Sequence, residues 1–129
     1  MSLEGFNGAE LLLRTPRGRK IEQRLLDSKG SLAAPHLLDV EVAQVLRRYA
    51  RAGQLDSKRG SEALQDLADM PIERYPHDFL LGRVWELREN LTAYDAVYVV
   101  LAEALDTILL TADRRLADSA RHVTAIEVV

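Results

Sequence analysis

The sequence predicts an α/β sandwich around a mainly parallel sheet. Amphipathic segments of helical length alternate with short apolar segments of strand length along the chain. Glycine and proline residues separate these segments, and no repeat, linker or low-complexity tract interrupts the 129 residues. Because a chain of this length typically forms one core, we expect a single domain over residues 1–129.

The composition excludes several classes of protein. Hydrophobic residues make up 47% and charged residues 29%, and the absence of cysteine excludes a disulfide scaffold or a thiolate metal site. Twenty acidic against 17 basic residues give a net charge of -3, which argues against a polybasic nucleic-acid binder but leaves a local basic surface possible. The longest apolar stretch, residues 96–102, is far shorter than the ~20 residues of a membrane-spanning helix. With no signal-peptide pattern either, we expect a cytoplasmic protein that makes no membrane contact.

Apolar residues at helical spacing predict three helices in the first half of the chain. They are residues 17–27, 35–52 and 57–69. Pro35 is expected to start the second of these helices and Gly53 to cap its C-terminus. The residues predicted to face inward from the third are Ala63, Leu64, Leu67 and Ala68. Brief strands are predicted at residues 31–34 and within residues 71–76.

The second half of the chain continues the alternation of helices and strands. The predicted helices are residues 78 to about 89, residues 92–105 and residues 114–120, and the predicted strands are residues 107–111 and 122–129. The apolar residues of the first of these helices are Phe79, Leu80, Val84, Trp85 and Leu87. We expect them to be buried in the core, with a dimer interface as the alternative. Thr92 and Asp95 have the spacing of a capping box.

Three carboxylates occupy positions where α/β sheets form sites, which is beyond the carboxyl ends of the strands. Glu41 lies in the first turns of the helix after strand 31–34, and Asp113 follows the predicted strand at residues 107–111. They are expected at one edge of the sheet, and a third carboxylate joins them if Asp95 reaches that edge. Because clustered carboxylates repel unless a cation or protonation compensates, the pattern indicates a Mg²⁺ site suited to phosphodiester hydrolysis.

Each of these acidic residues also has a purely structural explanation. Asp95 fits the N3 position of a capping box, Asp113 fits a helix N-cap, and Glu41 fits a first-turn acid with Asp39 as its companion. Arg114 and Arg115 follow Asp113 and are candidates for contacts with nucleic-acid phosphates, with a solvated helix face as the alternative.

Other catalytic patterns are absent from the sequence. It has no Gly-x-Ser-x-Gly turn, no Walker loop and no dinucleotide-binding glycine motif. The three histidines, which we expect to be structural or exposed, are His36, His77 and His122. For two further basic clusters, solvated helix faces are the favoured interpretation over contacts with phosphates. The first comprises Arg14, Arg17, Arg19, Lys20 and Arg24, and the second comprises Arg47, Arg48 and Arg51.

Three segments carry a family resemblance. They read PHLLDVEV at residues 35–42, LTAYDAVY at residues 91–98 and LTADRRL at residues 110–116. In order and composition these segments resemble PIN-domain ribonucleases, specifically the VapC toxins of bacterial toxin–antitoxin pairs, over roughly residues 9–129. The resemblance implies a three-layer α/β/α sandwich with a mainly parallel central sheet. It also implies an endoribonuclease that cleaves RNA with Mg²⁺ or Mn²⁺.

The same resemblance implies roles for particular residues. Glu41, Asp95 and Asp113 match three acidic metal-ligand positions of the family, and Thr111 matches a polar position that supports the site. It further implies a homodimer and a VapB-type antitoxin that covers the active site.

One departure from the family concerns the N-terminus. The family's first strand ends in an Asp, whereas Glu4 falls at that place with only three residues before it, so the first strand is expected to be short or missing. Glu4 is longer by one methylene and reaches a metal only with adjusted geometry. Three explanations stay open: a vector-derived or misassigned start, a natural replacement by Glu4, or a damaged site. The alternative function is therefore a catalytically impaired PIN-like domain that binds RNA or an antitoxin.

Overall fold

The computed structural model describes residues 1–3, 12–28 and 31–129. Helices and short strands alternate along the described chain, as the sequence predicts. The elements are β1 (Ser2–Leu3), α1 (Pro16–Asp27), β2 (Leu32–Pro35), α2 (Leu37–Arg51), α3 (Ser57–Asp69), β3 (Ile72–Tyr75), a 3-10 turn (Asp78–Leu80), α4 (Leu81–Glu86), α5 (Ala93–Leu105), β4 (Leu109–Thr111), α6 (Arg114–Ala120) and β5 (Ile126–Val128).

The five strands form one sheet in the order β3-β2-β1-β4-β5, and every pairing is parallel. The first strand, which the sequence predicts to be short or missing, is present through Ser2 and Leu3 and lies at the centre: Ser2 pairs with Ala33 on one side and with Leu109 on the other. From β1 the chain first builds β2 and β3 and then crosses to build β4 and β5. The direction of winding therefore reverses between β1 and β4, and sheets of this type form their binding crevice at such a reversal.

Helices cover both faces of the sheet. Leu110 packs with Ile21 of α1, whereas the preceding residue, Leu109, belongs to the large core cluster that includes α5. Because consecutive side chains of a strand point to opposite faces, α1 and α5 lie on opposite sides of β4. This arrangement confirms the predicted α/β/α layering.

Helix α5 occupies the centre of the molecule. All seven residues from Ala96 to Ala102 are buried, and α5 contacts β1, β2 and β4. A helix that is apolar all round is expected only in a core. Its first turn, which carries Asp95, directly precedes this buried run. Among the helices that the structure describes, none combines the length and apolarity needed to cross a bilayer.

The start of α2 differs from the prediction. Pro35 ends β2 instead of beginning the helix, and α2 starts at Leu37. Pro35 is compatible with the strand because the ladder to β3 is continued by the next residue, His36, whose N–H donates to the Tyr75 carbonyl across 2.9 Å. At its other end α2 agrees with the prediction, since Gly53 has a left-handed φ of 74° just beyond the C-cap.

The single helix predicted from residue 78 to about 89 is wrong. A 3-10 turn leads into α4, which ends at Glu86, and Leu87 N–H bonds back to Val84 in a tightened last turn. Only Leu80, Val84 and Leu87 are buried, while Phe79 and Trp85 are 60% and 67% exposed. One helical stripe cannot bury all five apolar residues, so the predicted inward face was too wide.

The buried face of α3 is narrower than predicted, and strands β4 and β5 are shorter than predicted. Of the four residues expected to face inward from α3, Ala63 and Leu67 are buried, whereas Leu64 and Ala68 are exposed. Strand β4 comprises only Leu109–Thr111, and β5 only Ile126–Val128. Backbone hydrogen bonds continue beyond these bounds: the Val129 N–H donates to the Thr111 carbonyl across 2.9 Å, and the Leu109 N–H donates to the Ala125 carbonyl across 3.0 Å.

Candidate active site

The predicted site residues lie where the strands end and the next helices begin. Glu41 is in the second turn of α2, which follows β2 directly. Thr111 is the last residue of β4, and Asp113 is the N-cap of α6. Asp95 is in the first turn of α5, whose N-cap is Thr92. Glu4 follows β1 in the sequence and lies outside the described residues.

Glu41 is partly buried and is held by a residue from another helix. The hydroxyl of Tyr98, in α5, donates a short hydrogen bond to Oε1 of Glu41. Burial raises the pKa of Glu41 above its ordinary value, the hydrogen bond from Tyr98 lowers it, and the negative charge of Asp95 raises it. Glu41 and Asp95 are therefore electrostatic neighbours although they belong to different helices.

Asp95 is also partly buried, and its environment is set by the start of α5. The Thr92 hydroxyl oxygen accepts the Asp95 N–H across 3.2 Å, so Thr92 caps the helix as predicted. Burial raises the pKa of Asp95, a hydrogen bond from the Thr92 side chain lowers it, and the charge of Asp113 raises it. Asp95 thus has the structural role expected in the first turn of a helix, and it is also close enough to Asp113 to feel its charge.

Thr111 and Asp113 are joined by the turn that ends β4. The Asp113 N–H donates to the Thr111 hydroxyl across 3.0 Å, and Thr111 itself is fully buried. Oδ1 of Asp113 accepts the N–H groups of Arg115 and Leu116 at 2.9 and 3.1 Å, which makes it the N-cap of α6. The exposed Asp113 side chain therefore uses one oxygen in capping.

Asp95 is the middle member of the three carboxylates, because its charge acts on Glu41 and it feels the charge of Asp113. Within residues 1–3, 12–28 and 31–129, however, no three Asp, Glu or His side chains form a group that could hold one metal ion together. The donor chemistry nevertheless suits Mg²⁺, which proteins usually bind through one or two carboxylates while it keeps several waters. The described residues thus fit a cation held by two carboxylates, with Asp95 common to either pair.

Asp39, the sequence companion of Glu41, has a different role. Its carboxylate accepts from Nε of Arg74 at 2.8 and 3.0 Å, and Arg74 also donates to the Leu67 carbonyl across 3.0 Å. This ion pair fastens α2 to β3 and to the end of α3. Asp39 and Glu41, two residues apart on α2, therefore have different partners. Asp39 pairs with the guanidinium of Arg74, whereas Glu41 is next to the carboxylate of Asp95.

The arginines next to Asp113 are both exposed. In the part of the chain that the structure describes, neither Arg114 nor Arg115 takes part in an ion pair, so their charges face solvent beside the carboxylates. Of the early basic cluster, Arg24 is paired with Glu127 of β5 at 2.6 Å. An exposed basic surface is therefore present at the start of α6, next to Asp113.

A family model described as "PIN domain" matches residues 9–121 of this sequence. The chain belongs to the PIN-domain family. The VapC ribonuclease Mb0985 of Mycobacterium bovis is 45% identical over 108 residues, which cover 84% of this chain and 85% of that protein. This PIN domain therefore belongs with the VapC ribonucleases, and the resemblance noted in the sequence is confirmed.

Solved structures share the fold of this PIN domain. PAE2754 from Pyrobaculum aerophilum superimposes with a TM-score of 0.70 at 23% identity, covering 97% of this chain and 88% of that one. A chain of VapBC2 from Rickettsia felis, solved bound to a DNA fragment from its promoter, superimposes with a TM-score of 0.68 at 13% identity and covers 98% and 96% of the two chains. At these identities the likeness concerns the fold.

Two contacts of this PIN domain were missed in the sequence. Tyr98 lies within a predicted core helix, and Arg74 within a brief predicted strand, so neither was singled out. Tyr98 carries a signal nonetheless, because it places one hydroxyl in the otherwise apolar run from Ala96 to Ala102. A buried hydroxyl requires a hydrogen-bond partner, and the nearest strand ends offered carboxylates.

Proposed function

We propose that this PIN domain is a metal-dependent endoribonuclease, the toxin of a VapBC-type toxin–antitoxin system, which hydrolyses RNA phosphodiester bonds in the cytoplasm. The observation that carries the proposal is the electrostatic coupling of two partly buried carboxylates, Glu41 and Asp95, at the edge of the sheet where parallel α/β folds place their sites. The similarity to VapC ribonucleases supports the same reaction.

Each site residue has a defined part in this proposal. Glu41, Asp95 and Asp113 are the proposed ligands of Mg²⁺ or Mn²⁺, which Asp95 would hold together with Glu41 or with Asp113, and Glu4 is a further candidate ligand. A bound divalent ion lowers the pKa of its water and stabilises negative charge on the phosphate oxygens. Thr111 fixes the backbone of Asp113 through its hydroxyl.

The exposed guanidinium groups of Arg114 and Arg115 attract the RNA backbone toward the carboxylates. Phosphate contacts of this kind position a nucleic acid without reading its sequence. The two arginines therefore contribute to affinity for RNA rather than to the choice of cleavage position.

The partners of the domain follow from the same assignment. A VapB-type antitoxin is proposed as the protein that covers the site, and the VapBC2 complex from Rickettsia felis supports this partner. A homodimer is proposed as well, because Phe79, Leu81 and Trp85 present exposed apolar side chains around α4. Light scattering on the wild-type chain and on a Trp85→Glu variant tests the dimer, which the charge would disrupt.

A second candidate function is favoured by two observations. By the resemblance, Glu4 falls where the family has Asp, and the described residues contain no three-ligand group. A PIN-like domain of this kind would bind RNA or an antitoxin without cleaving RNA. It predicts little Mn²⁺ binding and no nuclease activity, with partner binding intact.

The experiment that separates the two functions is RNA cleavage by the purified chain with Mg²⁺, with a chelator, and with the Asp95→Asn variant. For the proposed metal-dependent endoribonuclease, cleavage requires the cation and is lost in Asp95→Asn. Cleavage that is unchanged in Asp95→Asn would show that the site assignment is wrong. Absence of cleavage in the wild-type chain, with antitoxin binding retained, would favour the second function.

A further inference from the structure

We propose that Tyr98 is a positioning residue of the candidate cation site, whose hydroxyl holds the Glu41 carboxylate in a fixed orientation beside Asp95. The inference rests on the proposed function, because it takes Glu41 to be a cation ligand. In this role Tyr98 itself contacts neither the cation nor the RNA.

The contact joins two elements that are far apart in the sequence. Tyr98 belongs to α5 and Glu41 to α2, 57 residues earlier, and the hydroxyl donates to Oε1 of the carboxylate. Tyr98 also follows Asp95 by three residues, so the two side chains are neighbours on one surface of α5. A single helix thus carries one candidate ligand and the residue that holds another.

The tyrosine is well suited to this role because it cannot move easily. Its side chain is 2% exposed and lies in the run of buried residues at the centre of the molecule. A glutamate side chain has three rotatable bonds, and ordering it when a ligand binds costs conformational entropy. A hydrogen bond from a locked donor removes part of that cost in advance, and it leaves Oε2 of Glu41 without a part in this contact.

The same hydrogen bond has a simpler explanation, which is that a buried hydroxyl needs a partner. Both explanations expect the free energy of unfolding to fall when the hydroxyl is removed. Only the positioning role expects cation affinity to fall as well. Metal binding, measured apart from stability, therefore distinguishes them.

The test compares Mn²⁺ binding by calorimetry, and melting temperature without metal, in four forms of the full chain: wild type, Tyr98→Phe, Tyr49→Phe and Glu41→Gln. Phenylalanine keeps the ring contacts and removes only the hydroxyl. Tyr49 is the matched control, because it lies on α2 two turns beyond Glu41, about 12 Å along the helix axis. Residues that orient a metal ligand typically contribute 10- to 100-fold to metal affinity. We expect Tyr98→Phe to weaken Mn²⁺ binding about 10-fold and Tyr49→Phe to leave it unchanged.

A second readout comes from the Mn²⁺ dependence of RNA cleavage. In Tyr98→Phe the KM for RNA should match the wild type, and the lost rate should return as the Mn²⁺ concentration is raised. The inference is overturned if Tyr98→Phe binds Mn²⁺ as tightly as the wild type while Glu41→Gln binds it weakly. If Glu41→Gln also binds Mn²⁺ like the wild type, the assignment of Glu41 as a cation ligand is wrong, which is a different outcome.

Discussion

Asp113 donates its backbone N–H to the buried hydroxyl of Thr111 across 3.0 Å, and this contact ties the start of α6 to the end of β4. The carboxylate of Asp113 in turn accepts the N–H groups of Arg115 and Leu116. One acidic residue is therefore both a helix cap and a candidate cation ligand. Because an uncharged amide oxygen caps a helix as well as a carboxylate does but attracts a cation less strongly, the two roles can be separated by substitution.

Asp113→Asn is expected to keep the stability of the protein and to lose cation affinity. Asparagine caps helices as well as aspartate does, but it carries no charge. Urea unfolding should therefore give nearly the wild-type free energy, while a Mn²⁺ titration should show weaker binding. Asp113→Ala is the matched variant, since it also removes the cap and should cost about 1 kcal/mol of stability. Equal stability of the Asn and Ala variants would contradict the capping role.

Asp39→Ala is expected to lower the stability of the protein and to leave its cation affinity unchanged, which is the opposite of Asp113→Asn. Its ion pair with Arg74, whose side chain is 19% exposed, connects α2 to β3, so its loss should lower the free energy of unfolding by about 1 kcal/mol. Mn²⁺ affinity and RNA cleavage should remain at wild-type values, because this carboxylate is engaged by an arginine. A large loss of Mn²⁺ affinity in Asp39→Ala would place this residue in the cation site and contradict the assignment.

The stability of the metal-free protein should depend on pH through the coupled carboxylates. Burial raises the pKa of Glu41 above its ordinary value of 4.5 and that of Asp95 above its ordinary value of 3.8. In the pH interval between the ordinary pKa of the unfolded chain and the raised pKa of the folded protein, the folded state therefore keeps protons that the unfolded state has released. The free energy of unfolding must then decrease as the pH rises through that interval. At pH values above that interval, these two groups should cause no further change in the free energy of unfolding.

The check is urea unfolding in chelator between about pH 4 and about pH 7, for the wild type and a Glu41→Gln, Asp95→Asn double variant. As the pH rises, the free energy of unfolding of the wild type should first decline relative to that of the double variant. At higher pH the two curves should run parallel. Two curves that stay parallel throughout would show that neither pKa is raised.

Ser2→Ala is expected to stabilise the protein. Ser2 is fully buried in the central strand, and its hydroxyl oxygen has no hydrogen-bond partner among the residues described. An unpaired buried hydroxyl typically costs about 1–3 kcal/mol, so its removal should raise the free energy of unfolding by about 1 kcal/mol. The exposed Ser31→Ala serves as a control and should change little. A Ser2→Ala variant less stable than the wild type would reveal a partner for this hydroxyl.

Local sequence signals predicted much of the fold. The bounds of α3 and α6 agree with the prediction because an aspartate caps each helix, Asp56 for the first and Asp113 for the second. The pairing of Ser2 in the centre of the sheet could not be predicted in the same way, because two residues carry no periodicity. The exposure of Trp85 was missed because the predicted inward face was wider than the stripe of Leu80, Val84 and Leu87 that the structure buries.

The candidate site was predictable only in part, for a related reason. Strand-to-helix connections indicated Glu41 and Asp113 because the chain itself places them at the ends of β2 and β4. The contact of Tyr98 with Glu41 joins residues 57 positions apart and arises from how α5 packs across the sheet. No local pattern encodes such a contact. The roles of Glu41, Asp95, Asp113 and Thr111 in binding a cation stay predictions.

The most direct test of the central claim, that carboxylates at this sheet edge share a cation, is a calorimetric Mn²⁺ titration of the wild-type chain and of Asp95→Asn. Asp95 is electrostatically coupled to both of the other carboxylates, so its charge contributes to either pair that holds the ion. We expect saturable Mn²⁺ binding by the wild type and at least a 10-fold weaker association for Asp95→Asn, with both proteins folded. Equal Mn²⁺ affinities, or no saturable binding by the folded wild type, would contradict the claim.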